Sequence, residues 1–237
     1  MHDAHSLWTF LDQAVEHYAA ADRAGILAKV QAEFQRRTGD YAPGQPWYEE
    51  RIRLFHDWFL LDHVLPDGSV PLAHFVAEAG DALADAQRAV YRDLLRASHR
   101  SLFELDRSRG RTLRLLDRIG GAVFEVPMEP GLAGLATCDL LDARLLSPGG
   151  TLVLARGLLV HPRPAHDMIL EVVRRGRTAA DGAPWDLLDI LARMKAAWDR
   201  AENPRVAAIY GPGSYLFREF TRALAGTTAQ DGAAEAP

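Results

Sequence analysis

Apolar residues recur at helical spacing along the first part of the chain. Leu7, Leu11, Ala14 and Tyr18 stand at i, i+4, i+7 and i+11, and Leu27, Val30 and Phe34 continue an apolar face. The stretch from about Ser6 to Arg37 therefore reads as helix, with Gly25 as a kink or a break between two helices. Gly39 stops it, and TGDYAPGQP, with two Gly and two Pro, reads as a loop. A second helix is predicted from Pro46, because proline suits the first helical position and Glu49 and Glu50 complement the helix dipole in the first turn. Two apolar stripes follow, Ile52, Phe55 and Phe59 on one and Leu54, Trp58, Leu61 and Leu65 on the other. A helix apolar over so much of its circumference is predicted to be central and buried, and Phe55, Trp58 and Phe59 read as core. Pro66-Asp67-Gly68 is a turn signal. A short helix is predicted from Pro71, with Leu72 and Phe75, and another from about Leu83 to Ser98, with Leu83, Val90 and Leu94 on one face.

From Ser101 to about Val160 the period shortens to that of strands. Phe103 and Leu105 alternate before Arg109-Gly110, Leu113 and Leu115 before Gly120-Gly121, and Val123 to Val126 forms a third run. Pro127 to Gly134 connects to a run from Leu140 to Leu146, and Pro148-Gly149-Gly150 turns into a fifth, Leu152 to Val160. Five short strands separated by glycine turns predict a small antiparallel barrel or meander. Helical spacing then returns. Pro162 and Pro164 start a helix carrying Met168, Ile169, Val172 and Val173, and Pro184 opens one carrying Leu187, Leu188, Leu191 and Met194. Glu202-Asn203-Pro204 ends that helix, and a last one is predicted from Ser214 to Leu224. The fold class is α+β: a helical lobe over 1–98, a barrel or meander over 99–161, C-terminal helices over 162–226 and a disordered tail over 227–237.

Composition narrows the functional classes. Of 237 residues, 48% are hydrophobic and 25% charged, the values of an ordinary globular protein. No run of about 18 apolar residues is present, so no membrane span is expected. The opening MHDAHSLWTF lacks the basic and apolar regions of a signal peptide, which predicts a cytoplasmic protein. The single cysteine, Cys138, excludes an internal disulfide framework and a Cys-rich zinc site. The net charge of −5 argues against sequence-independent nucleic-acid binding. The basic residues are nearly all arginine, Lys29 and Lys195 being the two lysines.

Four features could carry chemistry. His56-Asp57 and Asp62-His63 bring imidazole and carboxylate onto one helix. His56 and His63 lie two turns apart, about 10 Å of rise, too far for one ion. Asp62 is expected to bond a nearby backbone group or arginine. Val206 to Ser214 could form a strand, a glycine turn and a helix start that cradles phosphate, but Pro212 removes a donor and no Gly-Lys-Ser/Thr ending follows, so the segment reads as a loop with Ser214 as a helix cap. Cys138, next to Asp139, is poorly placed for a lowered thiol pKa and reads as filler. The strand region carries two aromatics, Phe103 and Phe124, both read as core rather than as a nucleic-acid platform. No catalytic, cofactor-binding or metal-ligating set emerges.

The run Phe55-His-Asp-Trp58-Phe59-Leu-Leu-Asp62-His-Val-Leu65-Pro-Asp67-Gly68-Ser-Val-Pro71-Leu72 resembles a W-F-x-x-D…L-x-D-G-x-x-P-L stretch of uncharacterised bacterial proteins that are sometimes joined to a metal-binding SEC-C motif. The likeness continues through Ser101–Leu105, Asp139–Leu145 and Gly157–Pro162, and covers about residues 45–175. It implies helices, a small barrel and further helices. With one cysteine the SEC-C motif itself is absent, and Cys138 stands where the family-like pattern has glycine. The resemblance implies no catalytic residue and no cofactor.

Taken together, the sequence predicts a non-enzymatic binding or adaptor protein with an unidentified protein partner. One alternative is a nucleic-acid accessory protein using Arg107, Arg109 and Arg111 with Arg174, Arg175 and Arg177. The other is an HD-like metal hydrolase using His56 and Asp57.

Overall fold

The computed structural model describes residues 4–20, 23–129, 132, 134–177 and 185–219. The expected tail over 227–237, the end of the last predicted helix and Pro184 lie outside them. The predicted α+β architecture is present: N-terminal helices, a nearly closed five-strand antiparallel barrel and C-terminal helices. The chain divides into two compact units that are discontinuous in sequence. One comprises Met1–Phe34, Gly44–Arg100 and Ala143–Leu158, and the other Gln35–Pro43, Ser101–Asp142 and Leu159–Pro237.

In the first unit, helices α1 (Ala4–Ala19), α3 (Tyr48–Leu61), α4 (Pro71–Ala79) and α5 (Asp85–Arg96) form the helical part together with α2 (Ala24–Thr38) as far as Phe34. The first break comes before Gly25, which lies inside α2, and α3 starts after Pro46 with Trp47 as its N-cap. As its two stripes predict, α3 is central: Leu54, Phe55, Trp58, Phe59 and Leu60 are buried. Phe34 of α2 meets Phe55 and Trp58 at ring separations of 5.6 and 5.1 Å, and Tyr18 of α1 meets Phe59 edge-on at 5.1 Å. Such pairs add a small directional term to the burial of large apolar area. Pro71 opens α4 as predicted, after a turn in which the Asp67 carboxylate accepts from the Ser69 N–H and hydroxyl. The helix predicted over Leu83–Ser98 is shorter at both ends, since Ser98 already begins β1.

The strands are β1 (Ser98–Arg109), β2 (Thr112–Asp117), β3 (Val123–Pro127), β4 (Leu140–Leu146), β5 (Val153–Leu154) and β6 (Leu159–Val160). The sheet runs β3-β2-β1-β4-β5, and β6 also pairs with β4. The strand predicted over Leu152–Val160 is thus two short pieces on one partner: Leu145 faces Leu154, and Leu141 faces Val160. The interruption has a local cause in Gly157, whose N–H bonds a carboxylate instead of a strand. Strand β4 is buried along its whole length, Asp142 and Arg144 included.

In the second unit, α6 (His166–Arg177), α7 (Trp185–Arg200) and the short α8 (Val206–Ile209) close a core. Ile169, Val172, Leu188, Leu191 and Met194 pack with Leu102, Leu140 and Tyr210 there. Cys138 has φ +70°, the left-handed region that disfavours a side chain, where its N–H donates to the Leu105 carbonyl at 2.7 Å. Glycine is the residue that adopts this conformation without steric cost.

Candidate functional site

The sequence places all four candidate side chains on one helix, but α3 carries only His56 and Asp57: Asp62 is its C-cap and His63 lies past its end. Asp57 is buried, and its carboxylate accepts from the Gly157 N–H at 3.0 Å. Asp62 forms a buried ion pair with Arg144, whose guanidinium also donates to the Ser98 hydroxyl at 3.1 Å. The arginine partner expected for Asp62 is therefore Arg144. His63 stacks on the Phe59 ring at 6.0 Å and lies 5.2 Å from Trp58. His56 is half-buried, and burial lowers its imidazole pKa against the opposing charge of Asp12. Among the described residues, no group of three or more His, Cys, Asp or Glu is arranged to hold a metal ion.

Burial pushes the Asp57 carboxyl up to about 6, against the charge of Arg144 and the hydrogen bond from Gly157. The sign follows from linkage. A raised acid pKa means the folded chain holds more protons than the unfolded chain between about pH 4 and about pH 6. Stability from this group is therefore highest at low pH, falls through that window and is level above it. An Asp57→Asn variant keeps an acceptor for Gly157 and removes the titration. Its unfolding free energy should rise relative to the wild type by up to about 3 kcal/mol between pH 4 and pH 7. Urea denaturation of both proteins at each pH checks this, and a pH-independent difference would refute it.

The segment after β5 is held to the helices by its own contacts. A Cβ on Gly157 would stand 2.6 Å from the Leu54 N and Cα and 2.7 Å from the Arg53 carbonyl carbon. The backbone meets α3 directly, and the Gly157 N–H that a ladder would use goes to Asp57 instead. Next to it, Arg156 pairs with Asp12 at 3.1 Å and covers the Trp8 ring at 4.9 Å.

The other candidates have structural roles. Val206–Ile209 is a helical turn rather than the strand that a phosphate cradle would need. Ser214 accepts from the Phe217 N–H at 2.9 Å and donates to the Ile209 carbonyl at 2.8 Å, so it caps the helical residues 215–219. Phe103 is buried, and Phe124 packs edge-on against it at 6.0 Å. Cys138 is exposed; its neighbour Asp139 accepts from the Ala136 N–H and pairs with Arg163. Of the arginines, Arg107 and Arg111 are exposed near the β1–β2 turn, Arg114 pairs with Asp106, and Arg174 pairs with Glu171. The side chains of Arg109, Arg175 and Arg177 lie outside the described residues.

A feature that side-chain reasoning missed lies on β3. It pairs with β2, Leu113 facing Val126 and Leu116 facing Val123, and it ends the strand order. Asp117 N–H donates to the Ala122 carbonyl and Met128 N–H to the Arg111 carbonyl, both at 2.8 Å. In an antiparallel ladder the residues that exchange bonds alternate, so Phe124 and Val126 bond β2. The N–H and C=O groups of Val123 and Glu125 then point away from β2, to an edge that carries no strand among the described residues. Pro127 is also an outward residue, where a missing N–H costs nothing. The run Val-Phe-Glu-Val-Pro carried this signal, since a charge and a proline on alternate residues are common on sheet edges. Comparison with protein-family models, with curated proteins and with solved structures gives no match.

Proposed function

We propose that this chain is a non-enzymatic binding protein whose partner adds an extended segment to the β3 edge. The observation that carries the reading is the outward backbone of Val123 and Glu125, with Val123 46% exposed. Main-chain bonds to such an edge supply affinity, and alternate side chains supply specificity. The polar clusters on α3 and β4 are, by contrast, engaged within the chain. Among the described residues, no helix is long and apolar enough to cross a membrane.

The test places a photo-crosslinking residue at Val123 in cells. The captured chain is then purified and titrated against the wild type and Glu125→Pro. Proline at an outward position removes one edge donor without touching the β2 ladder. Binding weakened about tenfold by Glu125→Pro supports the reading; equal binding overturns it.

The exposed Arg107 and Arg111 favour a second reading, nucleic-acid association. Fluorescence anisotropy with a labelled single-stranded oligonucleotide would then show salt-dependent binding, lost in Arg107→Glu/Arg111→Glu. The HD-like hydrolase reading draws no support from α3 and its C-cap, where Asp57 bonds Gly157 and Asp62 bonds Arg144.

A further inference from the structure

We propose that the β3 edge pairs reversibly with the β3 edge of a second copy of this chain, and that this self-pairing masks the edge until a partner strand displaces it. The inference rests on the binding reading above and adds a regulation of the same site. An unpaired edge donates and accepts at fixed spacing, so whatever covers it must be an extended chain in register. The edge's own sequence decides which extended chain fits it.

Two-fold axes through Val123, Phe124 or Glu125 give three registers that bring outward residues opposite one another. In the first, the axis passes through Phe124. Val123 of each copy then faces Glu125 of the other, and both residues exchange both main-chain bonds, giving four hydrogen bonds across the axis. No like charges oppose each other, and Glu125 keeps Arg114 as its neighbour on β2. The exposed Val123 and the half-buried Phe124 both lose water contact. In the second register, centred on Glu125, that carboxylate faces its own copy, and Val123 faces Pro127, which has no N–H to give. In the third, centred on Val123, Glu125 faces Gly121, whose N–H already donates to the Asp117 carbonyl at 2.9 Å. The first register alone uses all the outward groups of Val123 and Glu125 and opposes no charges.

The same geometry sets the strength. Pro127 at one end and the Gly120-Gly121 turn at the other stop the ladder after four bonds. So short a contact belongs with small transient interfaces rather than obligate dimers. A partner that adds side-chain contacts to the same edge will therefore displace the copy.

Sedimentation equilibrium from about 10 μM to about 1 mM reads the association directly, in the concentration range of weak complexes. The expected result is a wild-type weight-average mass that rises toward twice the monomer, while Glu125→Pro stays monomeric throughout. Amide hydrogen exchange of the wild type at the two concentrations supports this without a variant. Exchange at Val123 and Glu125 should slow several-fold as concentration rises, and exchange at Phe124 and Val126, which bond β2, should not change. A wild type monomeric at the upper concentration, a dimer that survives Glu125→Pro, or slowing confined to other segments would each overturn self-pairing. If the wild type is monomeric while the Val123 crosslink still captures an edge-dependent partner, self-pairing fails and the binding reading stands. If it self-associates and no partner binds the edge, the reverse holds.

Discussion

Replacing Gly157 with alanine should destabilise the first unit more than any other one-carbon change in it. The added Cβ would stand 2.6 Å from the Leu54 N and Cα, atoms of the α3 backbone that no rotamer change can move. Either the segment lifts off α3 or the helix shifts. Lifting breaks the 3.0 Å bond from the Gly157 N–H and leaves the buried Asp57 carboxylate without that donor. Overpacking costs about 1–3 kcal/mol and the lost bond to a buried carboxylate about 1–3 kcal/mol more. A loss of about 2–6 kcal/mol in urea denaturation is expected. The double variant Gly157→Ala/Asp57→Asn should lose less than the sum of the single changes, because the lifted segment then leaves no buried charge behind. A Gly157→Ala protein with wild-type stability would mean that this segment does not lie against α3.

The second large effect is at Arg144. Its guanidinium is 2% exposed and is shared between the Asp62 carboxylate and the Ser98 hydroxyl. Arg144→Met fills similar volume with apolar atoms and leaves the Asp62 carboxylate in a largely buried site without its counter-charge. Removing one partner of a buried pair costs about 3–5 kcal/mol, most of it the desolvated charge left behind. Arg144→Met/Asp62→Leu removes both charges and should recover most of that loss, since a buried ion pair is worth little against well-packed apolar groups. Chemical denaturation of the three variants completes the cycle. If Arg144→Met alone is as stable as the wild type, Asp62 draws its stabilisation from elsewhere, and Arg144 is not the counter-charge that holds it.

These two residues show what kind of information the sequence carried. Helical and strand periods, glycine turns and proline starts located nearly every element, because each is a local property of the chain: a 3.6 or 2.0 repeat and a backbone conformation that few residues allow. The centrality of α3 was legible for the same reason, since an all-round apolar helix must be covered. Element ends were less legible. Leu83 and Pro46 fall outside the helices that their positions predict them to open, because the end is set by which backbone groups find partners elsewhere.

The candidate site divides in the same way. The sequence identified His56, Asp57, Asp62 and His63 as unusual within an apolar helix, and it named arginine as a partner type for Asp62. It did not identify Arg144, 82 positions away, or Gly157, 100 positions from Asp57. Both lie in runs that read as ordinary strand. Their roles depend on which backbone comes within hydrogen-bonding distance of α3. The fifth strand is a single apolar run in the sequence and two short pieces in the structure, because contact with α3 takes Gly157 out of the ladder.

What the sequence by itself determined is the α+β class, the helix–barrel–helix order, the buried central helix and the absence of any Cys-rich metal or disulfide framework. Tertiary structure alone decided that Asp57 and Asp62 serve the interior, that Cys138 sits in a glycine conformation, and that β3 presents an open edge. The physical reason is range. Periodicity and turn chemistry are fixed within a few residues, whereas burial of a charge, close approach of two backbones and the direction of an unpaired N–H depend on neighbours that only folding brings together.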